Sequence, residues 1–119
     1  MLKLNELRIG NYIQDARNRP QKITPSLMMA IIETTISLIQ PIPLTDEWLK
    51  KFGFEICREI GGWEAKMNGV FLWRGEDWNY WTYSTVDVSC NEIDIVLKYV
   101  HQLQNLYFVL KENELEKQK

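Results

Sequence analysis

The stretch from Pro41 to Phe54, PIPLTDEWLKKFGF, constrains the chain more than any other, because both its ends and its interior are marked. Pro41 and Pro43 fix φ and bias Gln40 and Ile42 away from helical angles, so the chain arrives extended. Thr45 is placed to cap a first helical turn, with Asp46 and Glu47 at the positive end of the dipole and Lys50 and Lys51 at the negative end. Gly53 ends the helix, since glycine adopts a left-handed cap readily. Leu44, Trp48, Leu49 and Phe52 then share one apolar face. A helix this short cannot bury that face alone and must set it against something larger.

After Gly53 the apolar period changes from helical to alternating. Phe54, Ile56 and Arg58 alternate with Glu55, Cys57 and Glu59, and Trp63, Ala65 and Met67 alternate with Glu64 and Lys66. Gly61-Gly62 and Asn68-Gly69 read as turns, the second being a strong hairpin signal. Val70 to Arg74 and Trp78 to Ser84 read as further strands around the turn Gly75-Glu76-Asp77. Val86, Val88 and Cys90 extend the pattern, and Ile93, Ile95 and Leu97 read as a last strand, with a helix beginning at Glu92 as the alternative. The whole is an antiparallel meander.

Before Pro41, LRIGNYI (7–13) and PQKI (20–23) read as a hairpin around the loop Gln14 to Arg19, bent at Gly10. Thr24-Pro25 opens a helix carrying Leu27, Met28, Ile31 and Ile32 on one face, which ends near Thr34-Thr35. Ile36 to Ile39 is a short apolar run, strand or buried loop. After the meander, Tyr99, Val100, Leu103, Leu106, Tyr107 and Leu110 recur at helical steps and predict a helix packed on the sheet. The tail KENELEKQK has only Leu115 to bury and is expected to fray. The predicted fold is α+β in a single domain over 1–119: hairpin plus helix in 1–40, the Pro-bracketed helix in 41–54, the meander in 55–98 and the C-terminal helix in 99–115.

A chain of 119 residues suffices for a core without disulfides or metal. Its longest apolar run is far below the roughly 18 residues that span a bilayer. Lys3, Glu6 and Arg8 interrupt the start, so no secretory signal is read and a cytoplasmic location is expected. Cys57 and Cys90 lack zinc-site spacing and are expected to be reduced and buried. The net charge of −2 divides unevenly: seven basic against five acidic residues up to Gly53, and seven against eleven beyond it. An acidic second half disfavours nucleic-acid backbone and suits basic protein surfaces.

His101 is the only histidine, and no nucleophile motif, phosphate-cradling loop or metal-spaced pair accompanies it, so no enzyme, cofactor or metal is predicted. Five tryptophans are more than a small core readily absorbs. Trp73, Trp78, Tyr80, Trp81 and Tyr83, with the acids Glu76 and Asp77, are therefore the candidate partner-binding set, drawn from a run that also holds Trp63 and Phe71. Strand alternation puts Trp78 and Tyr80 on one face and Trp81 and Tyr83 on the other. On the helical wheel His101 and Phe108 fall with Gln104 and Asn105 away from the apolar stripe, and both are added as contact candidates. Arg8, Arg17, Arg19 and Lys22 form a basic patch on the first hairpin. A stacking platform for single-stranded nucleic acid is the competing use of the aromatics, but only Lys66 and Arg74 supply nearby cations.

Three segments, NELRIGNYI, PIPLTDEWLKKFGF and KYVHQLQNLYFVL, resemble a family of small uncharacterised proteins encoded by Bacteroidota and by their phages and mobile elements. The resemblance carries no activity or catalytic residue. It implies a context, in which small non-enzymatic proteins bind host machinery, anti-CRISPR inhibitors of defence nucleases among them. The expectation is a protein-binding module of that origin, with single-stranded nucleic-acid binding as the alternative.

Overall fold

In the computed structural model, which describes residues 7–33, 39–86 and 92–117, the chain divides into two compact units. One comprises Met1–Pro43 and Tyr99–Leu115, the other Leu44–Lys98 and Glu116–Lys119. The architecture is α+β, with three helices and two antiparallel sheets among the described residues. Among these residues no helix is long and apolar enough to cross a membrane.

In the first unit, strands β1 (Tyr12–Asp15), β2 (Pro20–Lys22) and β3 (Ile39–Gln40) pair in the order β2-β1-β3. The hairpin forms where expected, but its first strand starts at Tyr12. Gly10, at φ 101°, turns the chain just before it, and the Gly10 N–H donates to Ile23 O at 2.8 Å. Helix α1 (Pro25–Glu33) begins as its sequence directs, with Thr24 Oγ1 accepting from the Leu27 N–H at 3.1 Å. Leu7, Ile13, Ile23 and Ile31 form the core beneath it, joined by Leu27, Met28 and Ile39. The expected helix end at Thr34-Thr35 and the start of the apolar run at Ile36 lie outside the described residues.

The C-terminal helix α3 (Val100–Lys111) packs on β1 of this sheet. Its buried stripe is Val100, His101, Leu103, Gln104 and Tyr107, rotated from the one its hydrophobicity indicates. Leu106 is half-buried, and Val109 and Leu110 are exposed. The reason is Gln104, which is fully buried because the backbone of the first turn needs it. Its Oε1 accepts from the Tyr12 N–H at 2.7 Å, and its Nε2 donates to Gly10 O at 2.9 Å and Leu115 O at 3.1 Å. A polar side chain that closes three buried backbone groups belongs in the core, although a hydrophobicity pattern places it outside. The last of these bonds pins the tail, where Leu115 is buried and not frayed.

In the second unit, helix α2 (Asp46–Phe52) has the predicted ends: Thr45 Oγ1 accepts from the Trp48 N–H at 3.3 Å, and Gly53 sits at φ 104°. Trp48, Leu49 and Phe52 are buried, and the helix packs against β4. The meander runs β4 (Glu55–Glu59), β5 (Gly62–Met67), β6 (Val70–Gly75), β7 (Trp81–Val86) and β8 (Glu92–Leu97), each strand beside the next. The segment after Glu92 is thus strand and not helix. β7 starts three residues later than its aromatics suggest, because Glu76 to Tyr80 form the connecting turn. Residues 87–91, with Val88 and Cys90, are outside the described set.

Candidate functional site

Cross-strand partners in an antiparallel sheet share a face, so the register sorts the meander into two sides. On one, Ala65 pairs with Leu72, Met67 with Val70 and Trp81 with Leu97. Ala65, Leu72, Val70, Trp81 and Leu97 are all buried. This side also carries the row Arg58, Trp63, Arg74 over three adjacent strands, with guanidinium groups 4.9 and 5.7 Å from the Trp63 ring.

The other side is open except at Thr82, which is buried. Its central row is Cys57, Glu64, Trp73, Thr82 and Val96, one residue from each of the five strands. Beside it lie Glu55, Lys66 and Phe71, then Glu59 followed by Gly62 and Gly75, with Ser84 facing Asp94. Phe71 is 55% exposed and Val96 44%, while Trp73 is half-buried. A sheet with one face on a core ordinarily presents polar residues outward. Here the outward face holds three large apolar side chains.

Two more rings join this face by way of glycine. A Cβ on Gly62 would meet Trp73 Cζ2 at 2.8 Å, and one on Gly75 would meet the Trp78 ring at 2.7 Å, so each indole lies over a glycine. Tyr80 stacks on Trp78, with centroids 5.1 Å apart and planes 11° from parallel. Trp78 remains 40% exposed.

The charges on this face are mostly acidic: Glu55, Glu59, Glu64 and Asp94 against Lys66. Asp94 accepts from Ser84 Oγ at 2.6 Å. Among the described residues no ion pair or side-chain hydrogen bond engages Glu55, Glu59 or Glu64. Cys57, expected to be buried, is exposed beside them because its parity in β4 matches that of the two glutamates.

The sequence-derived candidates therefore separate. Trp73, Trp78 and Tyr80 come together. Trp81 does not join them: it is 1% exposed, on the buried side under the Arg74 guanidinium at 5.3 Å, and Tyr83 shares that side, half-buried. Strand alternation does not relate Trp78 and Tyr80 to Trp81 and Tyr83, because the first two are in a turn. Glu76 is exposed and paired with Arg58 at 2.7 Å, and Asp77 is exposed. Phe71 and Val96 enter the set only with the structure. Phe71 has the parity of Trp73 and can be found from it, whereas Val96 requires the β7–β8 register.

In the first unit, His101 is buried and stacked on Tyr99, which removes it from the outer face of α3. Phe108 is exposed at 39%, with the Arg8 guanidinium 4.5 Å from its ring. The basic patch is not one patch. Arg8 bonds Asn105 Oδ1 at 2.8 Å and Glu114 Oε1 at 2.6 Å, so it fastens the helix and tail. Arg19 is held by Asp15, whose Oδ2 accepts from Arg19 Nε at 2.8 Å and from Gln21 Nε2 at 3.1 Å. Its Oδ1 accepts from the N–H groups of Arg17 and Arg19. The backbone N–H of Arg19 is the main cause that holds the Asp15 carboxyl below its ordinary value; desolvation opposes it, and the Arg17 N–H and the Arg19 side chain add to it. Arg17 and Lys22 are exposed.

Among the described residues no group of His, Cys, Asp and Glu could hold a metal ion. The chain matches no family model, no curated protein and no solved structure.

Proposed function

We propose that this chain is a protein-binding module whose contact surface is the open face of the five-stranded sheet. The supporting observation is the co-location of Phe71, Trp73, Trp78 and Val96 on a face whose charges are mostly carboxylates. Aromatic anchors within a polar surround are the composition of a contact surface, and contiguous exposed apolar area marks interaction sites. Taken with the resemblance of its end and central segments, the reading extends to a protein of phage or mobile-element origin that occupies host machinery, such as a defence nuclease complex, without chemistry of its own.

Single-stranded nucleic acid is the weaker reading. It draws on the Trp78–Tyr80 stack, but stacking sites track a phosphate backbone with cations, and Lys66 is outnumbered on this face.

The test is the double variant Phe71→Thr/Val96→Thr, which puts a strand-favouring residue at both positions while removing apolar area from the open side. Recovered from lysate of a producing host, the wild-type chain is expected to carry a stoichiometric protein that the variant loses at unchanged thermal stability. Equal recovery by both chains would refute the reading.

A further inference from the structure

We infer that the partner recognised by this face is a basic protein segment, with Lys or Arg flanking an apolar anchor. The inference rests on the protein-contact reading of the open face and specifies its occupant.

Charge lies directly beside apolar surface here. Glu55 and Glu59 are four residues apart on the same side of β4, about 13 Å along a strand at ~3.3 Å per residue. Glu64 lies between them on the next strand, opposite Cys57. Beyond Glu64, on β6 and β8, come Trp73, Phe71 and Val96. The face is thus a band of carboxylates along one edge and a band of apolar side chains next to it. The glutamates have no internal cation among the described residues to answer them, apart from Lys66 facing Glu55 across the strands. Asp46, Glu76 and Glu114, by contrast, are paired with Arg74, Arg58 and Arg8.

An acidic or phosphorylated partner would bring like charges onto Glu55, Glu59 and Glu64, and a purely apolar one would desolvate them without a partner. Both are costly. A segment carrying cations beside an apolar residue answers both bands at once.

The probes are two short synthetic peptides, one alternating Lys with Val and the other Glu with Val, and an oligothymidine, each titrated into the full chain under amide NMR. The Lys peptide is expected to shift β4, β5 and β6 resonances on the open side, and Glu55→Gln/Glu59→Gln/Glu64→Gln is expected to weaken it about tenfold or more, with a shallower salt dependence. If the Glu peptide binds this face as well as the Lys peptide, or if neutralising the glutamates leaves affinity unchanged, the basic partner is refuted while the contact face survives. If neither peptide perturbs the face, the basic partner is likewise refuted, and the Phe71→Thr/Val96→Thr recovery then judges the face independently. Oligothymidine binding there in place of the peptides would overturn both.

Discussion

Gly62 faces Gly75 across the β5–β6 ladder, and each glycine lies under an indole, Trp73 over the first and Trp78 over the second. The pair leaves room for two large rings against a sheet surface that any side chain would lift away. The two positions differ in what surrounds them. At Gly62 a Cβ would also collide with Arg74 O, which is backbone, while at Gly75 the obstacle is the partly exposed Trp78 ring.

Gly62→Ala is therefore expected to destabilise the chain by about 1–3 kcal/mol, as overpacking does, since the strands must move apart. Gly75→Ala should cost less, because Trp78 can swing outward, and should red-shift Trp78 fluorescence as the ring enters water. Chemical denaturation with emission spectra distinguishes them. Equal stability losses would mean that the Trp78 ring is fixed by more than its glycine.

Gln104→Leu removes the partner of the Tyr12 N–H and of the Gly10 and Leu115 carbonyls. A buried group left unsatisfied costs about 1–3 kcal/mol, so the loss should exceed that of an ordinary surface change and should free the tail to proteolysis near Leu115. Gln104→Glu keeps an acceptor for Tyr12 but loses both donations, and its cost should be comparable or larger because it buries a charge. A stable Gln104→Leu chain with a protected tail would show that packing alone holds α3 on β1.

Helix α2 supplies two graded expectations. Thr45→Ala should cost about 0.5–2 kcal/mol through loss of the cap. Trp48→Ala should cost about 3–5 kcal/mol, because its ring is buried 5.7 Å from that of Phe52 and lies near the Lys51 and Lys117 ammonium groups. Thermal unfolding of the two variants would rank them, and the reverse order would place the core of this unit elsewhere.

Asp15 gives a pH dependence. Its carboxyl titrates below the unfolded value in the folded chain, held there first by the Arg19 N–H. The ionised form therefore stabilises the fold at pH values above the unfolded pKa, and that contribution is lost as pH falls through the lower folded pKa. Asp15→Asn should flatten the acid limb of a stability-against-pH curve relative to wild type. Parallel limbs would mean that the loop from Asp15 to Arg19 adds nothing to stability through this carboxylate.

Much of the fold is legible where local chemistry acts alone. Thr45 and Gly53 bracket α2, Thr24 and Pro25 open α1, and Asn68-Gly69 joins β5 to β6 as their residue types require. The rest depends on partners distant in sequence. The wheel of α3 misplaces His101 and Gln104 because Gln104 is buried for the hydrogen bonds of Gly10, Tyr12 and Leu115, which no periodicity encodes. Arg8 reads as surface charge until Asn105 and Glu114 are brought to it. The open face is half legible: Trp73 and Phe71 share parity in one strand, but Val96 joins them only through the β7–β8 register, and Trp81 leaves the set because Thr82, and not Trp81, stands opposite Trp73.

The most direct test of the contact face uses Cys57, exposed in its central row. A photoreactive group attached there, in a Cys90→Ser background, should cross-link the captured partner, while the same group at Asn18, introduced as Asn18→Cys in a chain lacking Cys57 and Cys90, should not. Cross-linking from Asn18 but not from Cys57 would contradict the account and move the contact surface off the sheet.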